Sequence, residues 1–326
     1  MKLGIRVMLI VAFAVVNLIT AQVHAAGSPY PSKPIRIVVG FPPSGSADIF
    51  ARLIGQKLTD AWNQPVVVDN RPGAGSTIGS QIVADATPDG YTLMVVSASY
   101  ATSAGLYRNL RYNPVKSFVP ITLIASTPNL LLAHPSVPAK SARELISMAK
   151  ASPGKFTMGS AGTGSITHLS GVLFTSMAGI KVLHVPYKGG GPALNALIGG
   201  QIQLLFLSLP ASQGQVKAGR AKALGVTSAK RSPVLPDVPT LAESGVPGYA
   251  ATNWYGMLAP AGTPKAIVAE LNKEVVAALR NQQTARMIAN RGAEAEGTSS
   301  EEFGQYLRSE IAKWSKVIKD AGVKQR

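Results

Sequence analysis

Three short segments combine backbone and side-chain groups suited to holding an anion: FPPSGSAD (41–48), SAGTGS (160–165) and YKGGGP (187–192). Each sets small residues between an apolar run and a helix-like pattern. A helix that starts there offers unpaired backbone N–H groups and about half a positive charge from its macrodipole. The hydroxyls of Ser44, Ser46, Ser160, Thr163 and Ser165 add donors. One such loop need be no more than a tight turn or a helix cap. Three of one kind in a single chain favour a binding cleft, because open α/β sheets take their ligands at the carboxyl ends of strands.

Covalent chemistry finds less support. There is no G-x-x-x-x-G-K-[ST] phosphate loop and no G-x-S-x-G nucleophile elbow. GAGSTIG (73–79) approaches the dinucleotide pattern, but its third glycine falls one residue late, Arg71-Pro72 precedes it, and no acidic residue ends a following strand. Past the first 25 residues the histidines are His134, His168 and His184, on separate elements and without metal-ligand spacing. Asp48, Asp69 and Asp89 sit in turns or caps, where aspartate is ordinary. No acid–base or nucleophile set can be assembled, so the chain is expected to be no enzyme and to need no metal or cofactor.

The elements that would position these loops alternate. Strand-like runs at 34–41, 65–70 and 91–97 enclose a helix at 47–58, whose Ile49, Phe50, Leu53, Ile54 and Leu58 share one face, and a short helix near 77–86. This βαβαβ order predicts a parallel sheet with right-handed crossovers. The pattern then repeats. Strands are predicted at 129–135, 155–160, 181–187, 202–209 and 221–228, with helices at 141–154, 166–177 and after the glycine triplet 189–191. Ser141 and Glu144 form a capping-box pattern. Two further helices are expected near 264–280 and 300–320, and Trp254 and Tyr255 are read as core or hinge packing.

Lys2 and Arg6, the apolar run 7–19 broken only by Asn17, and VHA at 23–25 read as a signal peptide cleaved after Ala25. The run is shorter than the roughly 20 residues that span a bilayer. There is no cysteine, hence no disulfide, thiolate metal site or lipid anchor. The 32 basic and 16 acidic residues give a net charge of +16, or +14 without Lys2 and Arg6. These charges are scattered, with no nucleic-acid-binding motif, so the basic balance reads as a solvated surface biased toward acidic ligands. About 300 mature residues exceed what one core usually serves, which predicts two lobes.

Six collinear blocks then resemble one family: YPSKPIRIVVGFPPSGSADIFAR, VVVDNRPGAGSTIGSQIVADATPDGYTL, MGSAGTGSITHLSG, VPYKGGGPALNALIGGQIQLLF, KALGVTSAKRSPVLPDVPTLAESG and WYGMLAPAGTP. The family is that of the tripartite tricarboxylate transporter solute-binding proteins, also called TctC-like or Bug proteins. The resemblance implies an α/β, two-lobed Venus-flytrap periplasmic-binding-protein fold, type II-like. It implies a periplasmic monomer that closes on a small organic acid and hands it to membrane permease subunits. A ligand-sensing subunit reporting to a membrane receptor is the alternative. Lobe 1 is expected from 26–125 and 228–326, lobe 2 from 126–227, with crossings near 121–129 and 226–232.

Carried over by the same resemblance, the ligand contacts are Phe41, Ser46, Ala47 and Asp48 from the first loop, with Ser97 and Ser99 after the next strand. From the second lobe they are Ser160, Thr163, Gly164, Ser165 and His168, then Tyr187, Lys188 and Gly189, and Ser208. Read from the residues alone, Asp48 suits a loop cap better than an anion contact, Lys188 could face solvent, and His168 and Tyr187 could equally be packing residues. Two departures stand out. Ser44 replaces a family glycine, which would reshape or rehydrate that edge. Leu207 and Ser208 replace a frequent acidic residue and asparagine, which disfavours a cationic ligand group or favours a more apolar ligand.

Overall fold

The computed structural model describes residues 30–107 and 109–323. The chain divides into Met1–Lys33 and Pro34–Arg326, and the second unit carries every element below. The expected signal peptide lies outside the described residues. Among the described residues no helix is long and apolar enough to cross a membrane.

The first half runs β1 (Ile35–Val39), α1 (Ser46–Trp62), β2 (Val66–Asn70), α2 (Thr77–Ala84), β3 (Thr92–Ser97), α3 (Ser99–Leu106) and β4 (Phe118–Ala133). It continues with α4 (Ala142–Ala151), β5 (Thr157–Ser160), α5 (Ile166–Ala178), β6 (Leu183–Pro186) and α6 (Gly190–Ile198). Then follow β7 (Leu204–Ser208), α7 (Leu209–Lys217) and β8 (Lys222–Val226). The last part is β9 (Thr252–Pro260), α8 (Lys265–Arg280), α9 (Gln282–Ala289), β10 (Glu294–Ala295) and α10 (Ser300–Asp320).

As expected, β1 pairs in parallel with β2 and β3, and β5 pairs in parallel with β6 and β7. Side chains explain the local choices. In α1, Ala47, Phe50, Ala51, Ile54 and Leu58 recur at helical spacing and are all buried. Asn63 ends that helix in the left-handed region at φ 51°, which asparagine tolerates. The capping box at 141–144 closes with an offset: the Ser141 hydroxyl accepts from Glu144 N–H, but the Glu144 carboxylate accepts from Lys140 N–H, not from Ser141.

The middle of the sheet differs from the expected all-parallel pattern. β9, absent from the sequence reading as a strand, runs antiparallel between β3 and β4. β4 is 16 residues long and extends well upstream of the predicted 129–135. It changes partners part-way along: residues 118–128 pair with β9, and residues 129–133 pair antiparallel with β7 and β8. Antiparallel insertion closes each parallel unit with a strand drawn from far along the chain, which local periodicity cannot report.

The hand-over is stitched by reciprocal bonds. Asn129 N–H donates to the Thr227 hydroxyl at 2.8 Å, Thr227 N–H donates to Asn129 O at 2.9 Å, and Ala251 N–H donates to Thr227 O at 2.9 Å. Side chains of β9 alternate in what they serve. Trp254 and Gly256 meet α10, whereas Asn253 and Tyr255 face the other way, toward the loops singled out by sequence.

Candidate ligand site

Five helices begin directly beyond strand ends: α1 after β1, α3 after β3, α5 after β5, α6 after β6 and α7 after β7. Their starts surround a cavity of about 60 Å³. By the volume a water-sized sphere takes, that is room for roughly four to six such groups. Phe41, Pro42, Gly45, Ser46 and Ala47 line it from the first loop, Ser97 and Ser99 from the β3–α3 junction. Ala161, Ile166 and Thr167 come from the α5 start, Gly190 and Gly191 from α6, and Leu207, Ser208 and Ala211 from α7. Asn253 and Tyr255 of β9 complete the lining. No Asp, Glu, Lys, Arg or His is among these residues.

The first loop is fixed by Asp48. Its Oδ2 accepts from Ser44 N–H at 3.0 Å and from Arg52 Nε at 3.1 Å. Burial pushes the carboxyl up, but the Arg52 guanidinium and the Ser44 amide outweigh it and hold its pKa below the usual value. Asp48 therefore stays ionised and is spent on the loop. Ser44 sits at φ 68°, a conformation that favours glycine, which gives a physical reason for the glycine expected at that position. Ser44 is not among the residues lining the cavity. The first intrahelical bond of α1 is Ile49 N–H to Gly45 O, so the amides of Ser46, Ala47 and Asp48 precede the helical ladder.

The second loop is held from within. Ser160 Oγ lies 2.7 Å from His184 Nε2, Ala161 N–H donates to Thr167 Oγ1 at 2.9 Å, and Ser165 Oγ caps α5 by accepting His168 N–H. His168 Nδ1 accepts from Gly164 N–H at 3.2 Å, and its ring stacks on His184 with centroids 3.9 Å apart. Burial first, and the neighbouring His184 second, lower the His168 pKa to about 3. The imidazole is thus neutral and supports the loop from behind.

A stability consequence follows for pH. The folded pKa is depressed below the unfolded value of about 6.5, so the unfolded chain takes up the proton first. Stability is full above pH 6.5 and falls as the pH drops toward 3. Between pH 6.5 and 5, above the carboxylate range, the loss should be about 1.5 kcal/mol. Denaturant melts of the wild type and His168→Gln should show that slope in the wild type alone; equal slopes would defeat this account.

The two sides of the cavity touch directly. Ser46 Oγ and Ser208 Oγ lie 2.7 Å apart, Ile166 N–H donates to Ser99 Oγ at 3.1 Å, and the Thr102 hydroxyl donates to Gly164 O. Gly189, at φ 124°, brings its backbone so close to Pro42 that a Cβ there would stand 2.8 Å from the ring. Tyr255 packs on Phe50 at 4.7 Å between centroids, and Asn253 Nδ2 donates to its hydroxyl at 2.8 Å. Burial pushes the Tyr255 phenol up to about 12, with partial offset from the Ser46 and Ser208 hydroxyls. It is a neutral hydrogen-bonding group at any ordinary pH.

Of the residues expected at the site, Phe41, Ser46, Ala47, Ser97, Ser99 and Ser208 meet at the cavity. Ser160, Gly164, Ser165 and His168 build the loop behind it. Asp48 caps the first loop, Thr163 and Tyr187 are half-buried off the lining, Lys188 is exposed, and Gly189 sets the close approach. Sequence reasoning missed Asn253 and Tyr255, which the alternation of β9 would have paired had that strand been recognised. It also stopped at Gly189, although Gly190 and Gly191 belong to the same glycine run.

Known proteins share this architecture. The profile of the tripartite tricarboxylate transporter family receptor matches residues 50–323. The R. palustris protein Rpa4515, in a structure with adipate, is 39% identical with a TM-score of 0.88, over 90% of this chain and 99% of that one. The periplasmic binding protein BugD is 36% identical with a TM-score of 0.87, over 91% and 100%. MatC from Rhodopseudomonas palustris, with bound malate, is 33% identical with a TM-score of 0.84, over 89% and 100%. Such proteins are periplasmic receptors with a two-lobed α/β fold, and they bind solutes without chemically changing them. From the match over most of its length, the chain belongs to the tripartite tricarboxylate transporter receptor family.

Proposed function

We propose that this protein captures a small organic carboxylate between its lobes in the periplasm and delivers it to a tripartite tricarboxylate-type membrane transporter. The observation that carries the reading is the convergence of five helix starts on one small cavity rich in hydroxyls and free of ionised side chains. Helix N-termini favour negative charge, and a cavity without a carboxylate does not repel it. The adipate and malate bound to the two relatives belong to this ligand class. The amino-terminal pattern supports export with cleavage after Ala25.

The lobes divide at 26–125 with 228–326 and at 126–227. In support, β4 changes partners between Pro128 and Asn129, and β8 ends at Val226 next to the Thr227 stitch. Contacts such as Ser46–Ser208 and Ser99–Ile166 exist only with the rims together. A ligand touching both rims would stabilise that arrangement by its differential affinity.

Thermal-shift screening of purified, ligand-stripped protein against mono-, di- and tricarboxylates tests the reading. At a hundredfold excess over the dissociation constant, binding adds about 2.7 kcal/mol and should raise Tm by several degrees. A panel with no shift at any acid would sink the proposal.

A further inference from the structure

One polar group at the cavity has an unused lone pair. Asn253 is 4% exposed and lines the cavity; its Nδ2 is engaged with Tyr255 Oη, and its Oδ1 is shielded from solvent without a protein partner. Around it the polar groups satisfy one another. Ser46 and Ser208 bond across the cavity, and the Tyr255 hydroxyl accepts from the amide. Asn253 Oδ1 is the acceptor left over. A buried amide oxygen left unpaired is costly, so a ligand that supplies a donor there gains over one that does not.

The donor's chemistry is constrained by the lining. An ammonium would satisfy Oδ1 but would bring a full positive charge among helix N-termini, with no carboxylate lining the cavity to balance it. An aliphatic chain would leave Oδ1 unpaired. A hydroxyl donates one hydrogen bond at no charge cost, and it can also accept, so it suits a primary amide that has one arm engaged.

We propose that Asn253 is the specificity-determining residue of the site and selects carboxylates that carry a hydroxyl group. This rests on the carboxylate-capture reading above. Titration calorimetry with matched acids that differ only by a hydroxyl tests it: malate against succinate, lactate against propionate, 3-hydroxybutyrate against butyrate, and 4-hydroxybenzoate against benzoate. For each pair in which either member binds the wild type, the hydroxy acid should bind at least tenfold tighter. In Asn253→Leu, close in size but without polar atoms, that advantage should shrink below threefold.

Pairs whose members bind the wild type alike overturn the assignment while leaving carboxylate capture intact, and this comparison needs no variant to fold. An advantage that survives in folded Asn253→Leu places the selectivity elsewhere and likewise overturns it. Absence of binding by every acid fails both readings together.

Discussion

Gly191→Leu is expected to weaken acid binding by more than a hundredfold and to leave the melting temperature almost unchanged. Gly191 lines the cavity from the second position of α6, and a Cβ added there meets no atom within 4 Å. Its φ is not in the left-handed region, so leucine fits the backbone. Leucine is the better helix former by about 0.8 kcal/mol, so the fold loses nothing locally. Four added carbons in about 60 Å³ leave no room for a ligand carboxylate beside the amides of α6. A hundredfold loss corresponds to about 2.7 kcal/mol.

Gly189→Leu is the instructive contrast. Its positive φ and its closeness to Pro42 mean that strain and failed rim contact would lower both stability and binding. Calorimetry on Gly191→Leu alongside its thermal melt separates the two effects. Unaltered affinity in that variant would show that the ligand sits elsewhere.

How far this site could be read from residues depends on how local its parts are. The loops 41–48 and 160–165 announce themselves because a strand, a small-residue turn and a helix cap are adjacent in sequence. The helix Ser300–Asp320 was legible for the same reason. The β9 floor was not. TNWYGMLAP is apolar on both faces, as buried strands are, with a glycine where Phe303 packs, so neither period 2 nor period 3.6 stands out. Its pairing partners lie more than 120 residues away in β4 and more than 150 away in β3.

The roles of polar residues were legible only in part. The residue-level reading of Asp48 as a loop cap rested on its place in a turn, where aspartate is ordinary, and Ser44 N–H does donate to its carboxylate. That His168 faces His184 and supports Gly164 depends on how α5 lies against β6, which no short-range pattern encodes. The consequence is physical: residues nearest the loop motif split between those that touch the cavity and those that hold the loop rigid behind it. Sequence proximity does not distinguish them.

The largest effect on stability should come from Glu310→Ala, at about 3–5 kcal/mol. Glu310 lies on α10, 6% exposed, and its Oε2 accepts the indole N–H of Trp254 at 2.9 Å and of Trp314 at 3.0 Å. Lys313 stands 3.4 Å from Oε1. Both indoles are fully buried. Truncation removes one acceptor from two donors that water cannot reach, each costing about 1–3 kcal/mol, and leaves a void against the β9 surface. Glu310→Gln keeps a carbonyl acceptor in place and should lose only about 1–2 kcal/mol. Trp254→Phe removes one of the two donors, so the Glu310→Ala penalty should be smaller in that background than in the wild type. The readout reaches the ligand site as well, since Trp254 stands between Asn253 and Tyr255 on the same strand. If α10 clamps β9 through this carboxylate, Glu310→Ala should weaken acid binding along with stability, and Glu310→Gln should restore most of both. Chemical-denaturation curves for the three single variants and the Trp254→Phe/Glu310→Ala double variant measure the coupling directly; additive losses would mean that the carboxylate and the indole act independently.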